Sequence, residues 1–318
     1  LELVWRVARK FLLQDIEASR VEEVVELSTT FREATRGLLA GTSLEGPANL
    51  QGAIEHTRRM DIQVAASAVA LGMHGIGVGD LNGDGLEDLY IARHAGEPNH
   101  YLLRTTQGGF ADAPDGHGAD LLEDTCGVLV CDLDGDGARD LALAVFAKVV
   151  VLWNDGEGRF PTSTVLESVG GAQVYTLVAG DADQDGDLDL YDTRYHRGDH
   201  EASPPLPYHD ARNGAANHLW VNDGARGFVD GTEAFGLDEG NDRYSLAAIW
   251  HDLDRDGDLD LYVTNDFGRN NDYRNEGGRF RDVAASSGAL DMAAGMGVAI
   301  ADVDRDGLDD LYVSNMWS

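Results

Sequence analysis

One nine-residue pattern, repeated five times at a spacing near fifty residues, constrains this chain more than any other feature. It reads DLNGDGLED (80–88), DLDGDGARD (132–140), DADQDGDLD (181–189), DLDRDGDLD (252–260) and DVDRDGLDD (302–310), with starts separated by 52, 49, 71 and 50 residues. Each copy follows a small or apolar segment such as GIGVG (75–79) or GMGVAIA (295–301). Each precedes a second apolar segment: LYIA (89–92), LALAV (141–145), LYVTN (261–265) or LYVSN (311–315). A third segment ends in a Gly-rich turn and an aromatic, as in VVLWNDGEGRF (150–160) and HLWVNDGARGF (218–228), and Asn-Asp-Gly there is a hairpin signal. The aromatic opens a fourth, outer strand. Four antiparallel strands per fifty residues make one propeller blade, so the expected fold is an all-β β-propeller of four-stranded blades.

The aspartates ask for a positive partner. In DLDRDGDLD five of nine residues are Asp. Neighbouring carboxylates at about 4–5 Å repel by about 3–4 kcal/mol at an effective dielectric near 20. Numbered from the first Asp, positions 1, 3, 5 and 9 carry carboxylates, Asn82 being the one amide, and position 6 is always Gly. Hard cations take six to eight oxygens, and glycine permits the sharp turn that lets alternate side chains converge. The expectation is about five Ca²⁺ sites, with position 7 contributing its backbone carbonyl. The ligands are then Asp80, Asn82, Asp84, Leu86 and Asp88; Asp132, Asp134, Asp136, Ala138 and Asp140; Asp181, Asp183, Asp185, Asp187 and Asp189; Asp252, Asp254, Asp256, Asp258 and Asp260; and Asp302, Asp304, Asp306, Leu308 and Asp310. The Asp258 side chain is expected to point outward. An EF-hand is rejected, because it needs Glu at position 12 between helices, whereas position 12 here is Ile91, Leu143, Asp192, Val263 or Val313 between strands.

Charge narrows the partners. With 24 basic and 57 acidic residues the net charge is −33, which argues against nucleic acid and against anionic membrane surfaces. The most apolar run, LALAVFAKVVVLW (141–153), is short and interrupted by Lys148, so it reads as two strands rather than a membrane insertion. Cys126 and Cys131 lie five apart on one strand and face opposite ways, which predicts two unbridged, buried thiols.

Residues 1–60 differ from the rest of the chain. They contain few turn residues, and Val24, Leu27, Phe31, Ala34 and Leu38 form a helical stripe, so helices are expected over 1–17 and 19–39 before a linker. Residues 61–318 are expected to form the propeller, of at least five units. RMDIQVAASAVAL (59–71) resembles RFRDVAASSGAL (279–290), so it is expected to supply an outer strand. Because SNMWS precedes the last unit's third strand, the chain is expected to be a piece of a longer propeller rather than a ring with an incomplete blade.

The units resemble FG-GAP/VCBS repeats, the Ca²⁺-binding blades of integrin α-subunit heads and many bacterial surface proteins. AGMGVAIADVDRDGLDDLYVSNMWS (294–318) and NDFGRNNDYRNEGGRFRDVAA (265–285) are most similar to the bacterial cartilage-acidic-protein-like group, which is associated with an ASPIC/UnbV domain. The resemblance covers about 62–318. It implies a propeller with blade-edge Ca²⁺ and an extracellular or cell-surface location, and it implies no reaction. Where that group carries an apolar residue in NLYRN, this chain has Asp272, so irregular pairing is expected for that strand.

The 71-residue interval holds an insertion, 193–217, and long insertions on rigid scaffolds carry binding. Arg194, Tyr195, His196, Arg197, His200, Tyr208 and His209 form a candidate ligand site there, and Arg197-Gly198-Asp199 is an RGD tripeptide. No catalytic triad, phosphate loop or nucleophile elbow is present. The functional expectation is a calcium-binding, extracellular, non-catalytic module that binds a protein or carbohydrate ligand. The alternative is a polysaccharide lyase or hydrolase with its site near the insertion.

Overall fold

The computed structural model describes residues 75–93, 95–167, 171–195 and 204–316. The expected N-terminal helices, the outer strand at 59–71, and His196, Arg197, His200 and the RGD tripeptide lie outside the described residues.

The described chain is all-β apart from one short helix, α1 (Ala284–Ser287). The first sheet is β1 (Ile76–Gly79), β2 (Asp88–Ile91), β3 (His100–Arg104) and β4 (Phe110–Asp112). The second is β5 (Thr125–Cys131), β6 (Asp140–Val145), β7 (Lys148–Trp153) and β8 (Thr162–Glu167). The third is β9 (Val174–Gly180), β10 (Asp189–Arg194), β11 (His218–Asn222) and β12 (Phe228–Asp230). The fourth is β13 (Tyr244–His251), β14 (Asp260–Asp266), β15 (Asn271–Asn275) and β16 (Phe280–Asp282). A two-stranded sheet of β17 (Gly295–Ala301) and β18 (Asp310–Asn315) completes the series. Every sheet is an antiparallel meander in chain order, so each repeat unit folds as one blade.

The second strands of the four-stranded sheets are buried on both faces. β6 is buried along its whole length, and β7 is buried after Lys148. That burial is why their sequences are continuous apolar runs rather than alternating ones. Three cores lie between consecutive sheets: Tyr90, Leu141 and Leu152 between the first and second, Trp153, Leu190 and Trp220 between the second and third, and Tyr191, Leu261 and Tyr273 between the third and fourth. Each such side chain contributes about 1.5–3 kcal/mol by leaving water. The first strands of consecutive blades lie side by side, β1 against β5, β5 against β9, β9 against β13 and β13 against β17. The approach is close: a Cβ on Gly77 would stand 2.6 Å from methyls of both Val128 and Val130. This stacking makes the fold a propeller-like series of blades.

Tyr312 in β18 is 65% exposed, whereas its counterparts Tyr90, Tyr191 and Tyr262 are 0% exposed. In the earlier blades this position packs beneath the following sheet, and no further sheet follows β18 among the described residues.

Asp272 does not disturb its strand. β15 pairs in register with β14, Tyr262 opposite Asp272, and with β16. The side chain is fully buried, and Arg274, two residues on and therefore on the same face, donates to its Oδ2 at 3.2 Å. A compensating arginine replaces the apolar packing. Cys126 and Cys131 are free and buried, and burial pushes the Cys131 thiol up to about 12.

Candidate metal centres and the opposite face

Strand direction sorts the connections. The turns from first to second strand and from third to fourth lie at one end of each blade, and the remaining connections lie at the other. All five aspartate loops therefore share one end.

Each loop is a ladder of carboxylates accepting backbone N–H groups. At position 1, Asp80 accepts from Asp84 and Gly85 at 3.1 and 2.8 Å, and Asp302 accepts from Asp306 and Gly307 at 3.1 and 3.0 Å. Position 3 accepts from position 5, as in Asp136 N–H to Asp134 at 3.2 Å. Position 5 accepts from position 7, as in Ala138 N–H to Asp136 at 2.8 Å. Side chains that bond their own backbone two to five residues on favour turns over helix or sheet, which is why the motif folds as a loop.

Position 9 has a different job. Asp88, Asp140, Asp189 and Asp260 are at most 1% exposed and open the second strand of their blades. One oxygen of Asp140 accepts from Leu133 N–H at 3.0 Å, and the other from Asn154 N–H, at the end of β7, at 2.9 Å. Asp189 repeats this with Ala182 and Asn222, and Asp260 with Leu253 and Asn275. One carboxylate thus ties the aspartate loop to the third strand of the same blade. Burial, followed by the nearby Asp134 and Asp136, pushes Asp140 up to about 6, and burial with Asp183 and Asp185 does the same to Asp189.

Two features of these loops escape sequence reading. Position 4 as well as position 6 is left-handed: Gly83 and Gly135 occupy it at φ 74° and 73°, but Gln184, Arg255 and Arg305 adopt φ 62°, 66° and 64° without glycine's freedom. A left-handed L-residue costs roughly 1–2 kcal/mol, part of which glycine's larger unfolded-state entropy offsets. Arg255→Gly is therefore expected to raise stability by about 0.5 kcal/mol in urea denaturation, and a loss of stability would contradict that backbone assignment.

The second feature is a clamp between blades. Asn154 reads in sequence as a turn residue, and its Oδ1 does accept Gly156 N–H at 3.0 Å. Its Nδ2, however, donates to Arg139 O at 2.7 Å in its own blade and to Leu81 O at 2.8 Å in the preceding one. Asn222 repeats the clamp to Leu188 O and Leu133 O at 3.2 and 2.7 Å, and Asn275 to Leu259 O and Ala182 O at 3.4 and 3.3 Å. Asn154→Ala strands two carbonyls in a buried setting and is expected to destabilise by about 2–3 kcal/mol. Asn275→Ala, with longer bonds, is expected to cost less; equal losses in denaturant unfolding would contradict the clamp.

The loops bring together what a cation needs. Side-chain oxygens of Asp132, Asp134 and Asp136 lie within 4.8 Å of one another, as do those of Asp181, Asp183 and Asp189, of Asp252, Asp254 and Asp260, and of Asp302, Asp304 and Asp306. In the first loop Asn82 donates its amide to Asp84 at 3.2 Å. Asp258 departs from expectation: its side chain does not simply point outward. Its Oδ1 is buried without a donor, and burial together with Asp256 pushes it up to about 6.

At the opposite end, four of the seven candidate ligand residues are described: Arg194, Tyr195, Tyr208 and His209. Arg194 is fully buried, and its guanidinium donates to both oxygens of Asp192 at 2.8 Å, so it faces the protein interior. Tyr195 donates to Asp266 at 2.5 Å. Tyr208 is exposed and packs on His209 and Phe267 at ring-centroid distances of 5.3 and 5.2 Å. No helix among the described residues is long and apolar enough to cross a membrane.

No curated protein matches the chain. Among solved structures, an Agrocybe aegerita lectin that recognises non-reducing terminal N-acetylglucosamine is similar at 20% identity, over 75% of this chain and 60% of that one, with a TM-score of 0.47. The V. cholerae biofilm matrix protein is similar at 15% identity over 76% of this chain and 34% of that one, with a TM-score of 0.38. An exotype rhamnogalacturonan lyase is similar at 16% identity over 74% and 47%, with a TM-score of 0.35. The chain thus spans 60% or less of the length of each of these three. The FG-GAP-like repeat matches residues 80–143, 132–191 and 252–313, more than half of the sequence, and the chain belongs to that family.

Proposed function

We propose that the chain is a Ca²⁺-binding β-propeller module that works outside the cell as a non-catalytic binding or scaffolding unit. The observation that carries this reading is the convergence of carboxylate oxygens within 4.8 Å in four loops, repeated in register at one end of the blades. Hard oxygen ligands without a histidine or thiol suit Ca²⁺ better than a transition metal. In each loop positions 1, 3, 5 and 9 would supply side-chain oxygens, Asn82 standing in for a carboxylate in the first, and position 7 its carbonyl. The ion would neutralise a like-charged loop and fasten it to the strand that position 9 begins. Extracellular Ca²⁺ lies where loose sites fill. The bacterial cartilage-acidic-protein-like grouping fits the same role.

The five centres should not be equal. Arg226, from the third blade, donates to Asp134 Oδ2 at 2.6 Å and lies 3.7 Å from Asp136, while its guanidinium stacks on Trp153. A cation already rests on the second loop. Arg226→Met is therefore expected to tighten Ca²⁺ binding at that loop by about tenfold, the effect of one well-placed charge. Titration followed by calorimetry or Tb³⁺ luminescence tests both statements. About five sites, one of them strengthened by the substitution, is the expected result, and an absence of saturable binding would refute the metal reading.

A further inference from the structure

The end of the blades away from the aspartate loops holds a cavity of ≈ 200 Å³ walled by separate connections. Arg212 comes from the insertion, Glu239 and Arg243 from the β12–β13 connection, Arg269 and Asn270 from the β14–β15 turn, and Leu290 from beyond β16. In a chain with 24 basic and 57 acidic residues, three arginines around one cavity are a marked concentration of cationic side chains.

Arg243 is 4% exposed. One terminal nitrogen donates to Asp210 Oδ1 at 2.7 Å, yet its Nε is buried with no acceptor. Arg269 reaches the other Asp210 oxygen at 3.4 Å, and Arg212 donates to Asp242 at 2.7 Å; both side chains are nearly half exposed. An arginine carries five N–H donors, so the half-exposed Arg212 and Arg269, each paired with a carboxylate through its Nε, keep terminal N–H groups for an acceptor within the cavity.

We propose that this cavity binds a carboxylate-bearing sugar, one hexuronate residue of an acidic saccharide. The inference rests on the reading of the chain as a binding module and names its ligand class. Guanidinium forks match a carboxylate. Glu239 and Asp282 also line the cavity, which disfavours a dianionic phosphate and offers acceptors to hydroxyl groups. Leu290 and Ala285 supply an apolar wall for ring C–H groups. The volume is below the roughly 300–1,000 Å³ of drug-sized pockets and suits a single ring.

The test uses the full chain in Ca²⁺, titrated by NMR or calorimetry with galacturonate and glucuronate beside methyl galactoside, free glutamate and sulfate. Saturable uronate binding near a millimolar dissociation constant is expected, with the neutral sugar, glutamate and sulfate each about tenfold weaker or worse. Arg212→Gln and Arg269→Gln, both at half-exposed positions, are expected to weaken uronate binding about tenfold while leaving the melting temperature unchanged. No saturable uronate binding, equal binding of the neutral sugar, glutamate or sulfate, or unaltered binding in both variants would overturn the proposal. Melting the same samples with and without EDTA separates the two readings. Calcium stabilisation without uronate binding defeats the ligand site alone; uronate binding without calcium stabilisation defeats the metal reading alone.

Discussion

In millimolar Ca²⁺, addition of EDTA is expected to lower the melting temperature of this protein by about 20 °C or more, and excess Ca²⁺ to restore it. A ligand that binds only the folded loops stabilises by RT ln(1 + [L]/Kd), about 2.7 kcal/mol per site at a hundredfold excess over Kd. About five such sites give on the order of 13 kcal/mol, and each kcal/mol is worth roughly 2–4 °C in a domain of this size. The loops themselves explain the direction. Without an ion, carboxylates at positions 1, 3 and 5 repel one another and position 9 is buried, with burial raising Asp88, Asp140, Asp189 and Asp260 above the usual carboxylate range. An ion removes that opposition. Mg²⁺, which demands near-ideal octahedral geometry, should restore much less. A melting temperature indifferent to EDTA would sink the calcium reading while leaving the blade architecture intact.

Asp192→Asn is the single substitution expected to do most damage, about 3–5 kcal/mol in denaturant unfolding. Asp192 and Arg194 are both fully buried, side by side on β10. Asp192 receives two bonds from Arg194, one from Trp220 Nε1 at 2.9 Å and one from the His218 backbone N–H at 3.2 Å. Arg194 also donates to Ala172 O at 3.1 Å, in the connection from the second blade to the third. Burial alone would raise the Asp192 carboxyl, but Arg194 and then His218 hold it well below the usual range. A depressed carboxylate contributes stability that is present above its unfolded value of 3.8 and is lost only as the pH falls through the lower folded value. The loss in Asp192→Asn should therefore be complete at pH 7 and shrink only in strong acid. Asp192→Leu with Arg194→Met should unfold less readily than either single variant, because breaking a buried pair is worse than removing it. A loss below about 1 kcal/mol would mean that the pair does not hold the blade.

Much of this architecture is legible in the residues. Strand boundaries fall where the apolar segments and Asn-Asp-Gly turns put them, with LALAVFAKVVVLW dividing into β6 and β7 around Phe146-Ala147. The candidate cation groups fall in the repeated motif. These are local matters: turn chemistry and side-chain period act within about ten residues, so they are written in the order of the chain. The role of position 9 is half legible. The motif predicts its carboxylate as a ligand, but its bonds to the start of the loop and the end of the third strand need a register that the motif does not contain.

Sequence alone determined that this chain forms repeated four-stranded antiparallel units, each with an acidic loop suited to a hard cation. Tertiary structure alone decided three things: that Asn154, Asn222 and Asn275 clamp neighbouring blades, that Arg194 is buried against Asp192 rather than offered to a ligand, and that Arg212, Arg243 and Arg269 meet around one cavity. In each case the partners are distant in sequence or belong to different connections. Their meeting depends on how blades stack, and no local pattern of residue types records that.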